Sequence, residues 1–253
     1  MRVAIMTDIH ANLPALRSAL AAIGELGCDA IYHLGDAIGI GPFPAETLGL
    51  LLATPGMRFV SGNHDAWFAF GMPDPWPYGA DQLEHQKWTH DQLDGKMRAA
   101  VAEWPFVRED TLDGVPASFL HYGLSDEDRW LATDSPASAQ GFAHVVFPPE
   151  VGALDTIFAR RQGRIVFYGH DHVESDLTGR ARYVNAGPLG CFMDFKRYVG
   201  PVARFVVLET DGAEGYTLTR RAAPYDGVVV LRAMEERRVP ARAEILKGFF
   251  GQE

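Results

Sequence analysis

Cysteine is scarce in this chain. Cys28 and Cys191 are the only two in 253 residues, far apart and without a zinc-ligand spacing. A disulfide scaffold is thereby excluded, and a reducing compartment becomes the default. Positive charge is also short: Lys plus Arg number 23 against 33 for Asp plus Glu, a net charge of −10. That argues against the basic stripe with which a protein grips long nucleic acid. A phosphate substrate stays compatible, because bound metal ions can supply the missing charge. No run approaches the roughly 20 apolar residues of a membrane-spanning helix. The first apolar run, residues 3–6, is broken by Thr7 and Asp8 and is too short for a signal-peptide core. The setting expected is cytoplasmic, with no membrane partner. What is present, 47% hydrophobic and 22% charged residues, suits a single globular domain over residues 1–253, able to bury roughly three quarters of its unfolded surface.

Periodicity places the elements. Residues 2–7 read as a buried strand. Residues 12–26 carry Leu13, Leu16, Leu20 and Ile23 at helical spacing, with Pro14 in the first turn where proline is tolerated. A strand at 30–34, a helix near 45–53 and a strand at 57–60 complete a β-α-β-α-β series, the pattern of a largely parallel α/β core. Residues 66–105 read as a helical insertion, aromatic at its start (Trp67, Phe68, Phe70, Trp76, Tyr78). Short strands return at 116–121, 164–168, 173–177, 181–185, 202–209 and 215–221, with a helix near 150–161. Residues from 226 to 253 read as a short helix and tail, with Arg237, Arg238, Arg242 and Lys247 on a solvated face. Oligomeric state has no signature here.

A metal-competent side chain follows a strand five times: Asp8-x-His10, Gly35-Asp36, Gly62-Asn63-His64-Asp65, His121, and Gly169-His170-x-His172. Loops at the carboxyl ends of parallel strands gather in one crevice, so these residues can meet. Glycines before Asp36, Asn63 and His170 fit sharp turns of unusual φ/ψ. Asp8, Asp36, Asn63, His10, His121, His170 and His172 make three oxygen donors and four imidazoles, more than one metal needs and suited to two. Mixed imidazole and carboxylate donors favour Mn, Fe, Zn or Co over Ca or Mg, with Mn the first choice. One carboxylate must bridge the pair, and Asp36 is the natural candidate. Asn12 stands where a helix N-cap is useful and is equally a candidate substrate contact. His33, His85, His90 and His144 read as structural, and Cys191 lacks an evident base partner.

In this order the motifs resemble those of the calcineurin-like metallophosphoesterases. Beyond the donors, Asp8-Ile9-His10-Ala11-Asn12-Leu13 and Leu34-Gly35-Asp36-Ala37-Ile38-Gly39-Ile40-Gly41-Pro42 resemble stretches of the branch of YfcE-like phosphodiesterases and diadenosine tetraphosphatase-like proteins, as does the turn Val184-Asn185-Ala186-Gly187-Pro188-Leu189-Gly190. The resemblance covers about residues 1–210. It implies a four-layer sandwich, two mixed β-sheets flanked by helices. It implies Asp8, His10, Asp36 and His172 on one metal and Asp36, Asn63, His121 and His170 on the other. His64 matches the family's non-ligand catalytic histidine, with Asp65 to orient it. The implied chemistry is hydrolysis of small phosphorylated molecules, nucleotides or dinucleoside polyphosphates, at phosphodiester or phosphoanhydride bonds by a hydroxide bridging the two metals. Alternatives are a phosphomonoesterase or phosphoprotein phosphatase, and a non-catalytic metal-binding scaffold. The phosphoprotein phosphatases of this superfamily continue the second motif into an Asp-Arg pair; here Gly39-Ile40-Gly41 stands instead, so that histidine partner and phosphate-binding Arg are missing. The branch's turn also continues towards a Pro-Arg pair, where Cys191-Phe192-Met193 follows Gly190 here; Arg129, Lys196 and Arg197 are candidate stand-ins for that substrate-positioning Arg, read first as surface charge. Substrate shape selection is expected from the insertion's aromatics and the 122–135 loop, with Tyr122 and Trp130.

Overall fold

The computed structural model describes residues 1–76, 78–124, 142–143, 148–212 and 215–252. In chain order its first elements are β1 (Arg2–Met6), α1 (Leu13–Leu26), β2 (Ala30–His33), α2 (Pro44–Ala53) and β3 (Met57–Phe59). The insertion follows as α3 (Asn63–Phe70), α4 (Ala80–Asp91) and α5 (Gly95–Ala102). A second strand series runs β4 (Val107–Leu112), β5 (Val115–Leu120), β6 (Gly123–Leu124), β7 (Phe142–Ala143), then α6 (Val151–Ile157), β8 (Ile165–Tyr168), β9 (Ser175–Thr178) and β10 (Arg182–Asn185). The chain closes with β11 (Met193–Asp194), β12 (Arg197–Tyr198), β13 (Val202–Thr210), β14 (Tyr216–Pro224), α7 (Gly227–Glu236) and α8 (Arg242–Phe250).

Two five-stranded mixed sheets result, in the orders β14-β13-β1-β2-β3 and β4-β5-β8-β10-β9. In each, three parallel strands form one flank or centre: β1, β2 and β3 in the first, β5, β8 and β10 in the second. The side-chain alternation of β1 shows why the layers stack. Val3 and Ile5 point into the core between the sheets, with Phe119, Ile165 and Phe167 of the second sheet. Ala4 and Met6 point the other way, into the layer under Leu16 and Ile23 of α1, as a strand buried on both faces requires. Across the sandwich Tyr32 stacks on Phe119 (centroids 3.9 Å), and Phe119 stacks on its register neighbour Phe167 within the second sheet (5.2 Å), with ring planes nearly parallel. Leu154 and Phe158 cover the outer face of the second sheet over Val166 and Tyr183. The four layers are therefore helix, sheet, sheet, helix.

Several elements differ from the expectations of periodicity. The Asn63-His64-Asp65 run is the first turn of α3, not a loop, because Gly62 supplies an extended N-cap and the Asp65 carboxylate returns to the Gly62 N–H at 3.0 Å. Strand β4, VREDTL, has no counterpart among the expected strands: its charges suit an edge strand with one wet face and hide the alternation. The tail beyond 226 is two helices, and α8 closes over the site. Arg237 is not merely solvated, since it donates to the Pro42 carbonyl (3.1 Å), pairs with Glu46 (2.6 Å) and lies over the Phe43 ring.

The turn after β10 runs hard against the loop after β1. Leu189 and Gly190 donate their N–H groups to the carbonyls of Thr7 and Asp8, both at 3.0 Å. A Cβ at Gly190 would collide with the Ile9 carbonyl. Gly190→Ala should therefore destabilise by about 1–3 kcal/mol, the usual cost of overpacking, read as a lower urea midpoint at unchanged m-value.

Candidate metal centre

The ends of β1, β2, β5 and β8 meet at one edge of the sandwich. Met6 pairs with His33 at the last register position of β1 and β2. The pairing then continues into the loops: Asp8 N–H donates to the Gly35 carbonyl (3.1 Å), His10 N–H to that of Asp36 (3.0 Å), Ala11 N–H to that of Ala37 (2.9 Å). Two motifs distant in sequence are thus laced side by side. Five of the proposed donors, Asp8, His10, Asp36, His170 and His172, have φ between +48° and +74°. Non-glycine residues avoid this region at a cost of order 1–3 kcal/mol each, and such outliers gather at functional sites. Gly35 shares the left-handed region at φ +102°. Gly62 and Gly169 do not; they are needed for room, because a Cβ on either would run into the Asp36 carboxylate or into Thr7 and Asp8.

The structure brings all seven donors together. Asp36 Oδ2 lies 3.2 Å from His121 Nε2 and 3.9 Å from His10 Nε2. Asp8 Oδ1 lies 3.3 Å from His172 Nε2 and 3.7 Å from His10 Nε2. Asn63 Oδ1 is 3.0 Å from His170 Nδ1. Asp8, His10, Asp36, Asn63 and His121 are buried. His10 and His121 each turn Nδ1 towards a backbone carbonyl, of Ile38 (3.3 Å) and Leu34 (2.8 Å). That leaves both Nε2 lone pairs facing the cluster, the arrangement that orients metal-ligating histidines.

Two observations test whether a cation fits. His121 Nε2 is fully buried with no aligned hydrogen-bond partner. His10 Nε2 and His172 Nε2 stand 2.8 Å apart, a separation that demands a proton or cation between two nitrogen lone pairs. Ligand atoms of Asp36, His121 and His170 all lie within 4.8 Å of one another, as do those of His10, Asp36 and His64 and those of His10, His172 and Cys191. The residues present fit divalent metal. Cys191, buried beside this cluster, is a soft donor that sequence alone does not single out.

The electrostatics follow from burial against mutual charge. Burial alone would lower the His121 pKa, but the Asp36 carboxylate beside it pushes it up to about 9. Burial would raise Asp8, yet His172 and His121 hold it well below the usual carboxylate range. For Asp65 the balance goes the other way: burial and the charge of Asp36 outweigh His121 and the backbone N–H groups and push it up to about 7.

Asp65 and His64 differ from expectation. The Asp65 carboxylate accepts backbone N–H groups from Asp36 (2.7 Å), Ala37 (3.0 Å) and Gly62 (3.0 Å). It shapes the turn that presents Asp36, and the partner of the His64 ring is another residue. Gln86 of α4 lies 3.0–3.2 Å from His64 Nδ1. Gly39, at φ +80°, makes room for that ring, since a Cβ there would overlap it. So Gly39 replaces the missing acidic partner with space, and Gln86 supplies the contact. A signal existed in the sequence: the inward face of α4 is polar, with His85, Gln86 and Thr89 buried. His85 Nε2 accepts the Ile40 N–H at 2.8 Å and holds the glycine-rich loop. Gln86→Ala should lower kcat/KM about 10–100-fold, as loss of an orienting partner does, with bound metal unchanged by elemental analysis.

The other expected contacts are also located. Asn12 is fully committed: Oδ1 caps α1 at the Ala15 N–H (3.1 Å), and Nδ2 donates to the Gly190 carbonyl (2.7 Å) and the Tyr225 hydroxyl (3.0 Å). Its polar atoms are used structurally, which corrects its reading as a substrate contact. Tyr122 is buried with its ring edge-on to His121 and His170, centroids 5.1 Å from each. Arg197 pairs with Asp194. Arg129, Trp130 and His144 lie outside the described residues, as does the 122–135 loop beyond Leu124. Within the described residues no helix is long and apolar enough to cross a membrane.

A sandwich edge that gathers imidazoles and carboxylates around a shared point, with a further histidine held beside them, is built to hold divalent metal. The sequence model of the calcineurin-like phosphoesterases matches residues 1–174, and the chain belongs to that family of metal-dependent phosphoesterases. It is 26% identical over 179 residues to the uncharacterized protein MJ0912 of Methanocaldococcus jannaschii, a match spanning 68% of this chain and 62% of that one, less than two thirds of the relative's length. Its fold superposes on the hypothetical protein PH1004 of Pyrococcus horikoshii with a TM-score of 0.77 at 19% identity, covering 100% and 99% of the two chains. A metallophosphoesterase of Sphaerobacter thermophilus gives 0.70 at 21% identity, covering 98% and 97%.

Proposed function

We propose that this chain hydrolyses phosphodiester or phosphoanhydride bonds of small molecules, nucleotides or dinucleoside polyphosphates, using two divalent transition metal ions. Asp8, His10, Asp36 and His172 would hold one ion, and Asp36, Asn63, His121 and His170 the other. Bound there, such ions supply Lewis-acid polarisation of phosphoryl oxygens and water activated near neutral pH. Two dications against the two carboxylates of Asp8 and Asp36 leave a positive site, and Asn63 adds an oxygen without adding negative charge. His64, oriented by Gln86, stands at the margin of this group to hydrogen-bond a phosphoryl oxygen or to protonate the leaving oxygen. Two free thiols suit a reducing, cytoplasmic setting.

The observation that carries the reading is the cavity of about 360 Å³ into which His10, Asp36, Asn63, His64, His170 and His172 open. Among the described residues its lining includes no Lys or Arg. A monoester dianion would call for such a cation more than a diester monoanion does, which favours the diester over the phosphatase alternative. The test is a pair of initial rates with the Mn²⁺-loaded protein, on bis-p-nitrophenyl phosphate and p-nitrophenyl phosphate. The diester should turn over faster. A faster monoester would transfer the assignment to a phosphatase, and no turnover of either with two ions bound would overturn it.

A further inference from the structure

Beside the metal-side cavity lies a second, of about 210 Å³, reached past His64. The two share Ile40, Asn63, His64 and Phe249 as lining, so a single ligand can occupy both. The walls of the second are aromatic. Trp67 and Trp76 meet edge to face with centroids 5.1 Å apart, and Tyr78 meets Trp76 the same way at 5.2 Å. These three rings do not belong to the packed hydrophobic clusters that hold the sheets and helices together, and Tyr78 is 47% exposed. Trp67 is buried, while Trp76 and Tyr78 lie outside the core and extend the aromatic wall along the cavity.

The polar groups of the cavity are informative. Trp67 is 5% exposed, and its indole N–H has no acceptor among the described residues. A buried donor without a partner is costly, so an acceptor from a ligand would satisfy it. Trp76 is fixed, its Nε1 donating to the Gly79 carbonyl at 3.2 Å. Gln82, Gln86 and Glu244 complete the lining with amide and carboxylate groups. An acyl chain would use none of these, whereas a heterocycle bearing ring acceptors and an exocyclic amine can pair with the Trp67 indole N–H, Gln82 and Glu244.

We propose that this pocket is a nucleobase subsite, with the base of a nucleotide substrate lying among Trp67, Trp76 and Tyr78 while its phosphate lies at the metal donors. The proposal rests on the phosphoesterase reading above and adds to it the part of the substrate that is recognised. His64 lies at the junction of the two cavities, so the base belongs to the group that His64 would protonate on departure.

The test compares adenosine 5′-monophosphate with ribose 5-phosphate by calorimetric titration of the Mn²⁺-loaded full chain. The two ligands carry the same sugar and phosphate, and only the first carries a base. Base–aromatic stacking predicts about five- to a hundredfold tighter binding of the nucleotide. Trp76→Ala should shrink that ratio, and Trp67→Phe, which keeps a ring but removes the N–H, should shrink it less. Equal affinities in the wild type would overturn the proposal, as would a ratio that survives both substitutions. Hydrolysis of bis-p-nitrophenyl phosphate, measured on the same preparation, separates the two readings. Turnover without base preference removes the subsite alone, and base preference without turnover supports the subsite while removing the proposed hydrolysis.

Discussion

Asp36→Asn is expected to cut hydrolysis of bis-p-nitrophenyl phosphate on the order of 10³-fold or more, because the Lewis-acid stabilisation at stake is several kcal/mol. The substitution is nearly isosteric and leaves one contact in place: Oδ1 accepts the His64 backbone N–H at 2.9 Å, and an amide oxygen can do the same. What changes is Oδ2, which faces His121 Nε2 at 3.2 Å and His10 Nε2 at 3.9 Å. An amide nitrogen there offers no lone pair to a cation, and Asp36 is the carboxylate placed between the two groups of imidazoles. Loss of metal and loss of rate should therefore come together. The second readout is thermal. A ligand at a hundredfold excess over its Kd stabilises the folded state by about 2.7 kcal/mol, or about 5–10 °C in Tm for a chain of this size. The wild type should show that rise on adding Mn²⁺ and Asp36→Asn should not. A variant that still binds two ions and turns over would remove Asp36 from the bridging role proposed for it.

How much of this is legible in the sequence divides along a physical line. The β-α-β-α-β series is readable because Val3, Ile5, Leu16 and Ile23 carry their burial in local periodicity. The donor set is readable because each member follows a strand, and parallel strands gather their carboxyl ends. What escapes depends on contacts between distant segments. Gln86 orients His64 across 22 positions, and the polar run on one face of α4 hints at a site without naming the partner. Phe249 comes over His172 at 5.6 Å only because α7 and α8 fold back across the sandwich; a tail without a strong repeat conceals it. Asn12 is ambiguous for the opposite reason, since an N-cap and a substrate contact call for the same side chain, and only the three hydrogen bonds it makes decide between them. Asp65 shows how sequence neighbours can suggest one partner while the fold supplies another. Its neighbours in sequence suggest the histidine, while its hydrogen bonds run to the backbone of the preceding motif.

His64→Ala tests the chemistry apart from the metal. The rate on a diester with a poorly departing alkoxide should fall about 10²–10⁴-fold, the range of general acid–base assistance, while bound metal stays at the wild-type stoichiometry. The separation is expected because the link between this residue and Asp36 is the backbone N–H, which alanine keeps, and because the turn beneath is held by Asp65 accepting from Asp36, Ala37 and Gly62. Burial holds the His64 imidazole pKa below its ordinary value against the pull of the Asp36 carboxylate, so the free ring offers one N–H as a hydrogen-bond donor, and delivering a proton requires the imidazolium, which a bound anionic phosphate would favour. Its role can then be read from the leaving group. If His64 delivers a proton to the departing oxygen, the loss should be small for p-nitrophenolate, which leaves without one, and large for a poorly departing alkoxide. A loss of equal size on both substrates would assign His64 to phosphoryl binding instead. Its ring also lies within ligand distance of His10 and Asp36, and for that reason metal content is the decisive control: depletion of one ion in His64→Ala would make this residue a ligand and return the proton to another group.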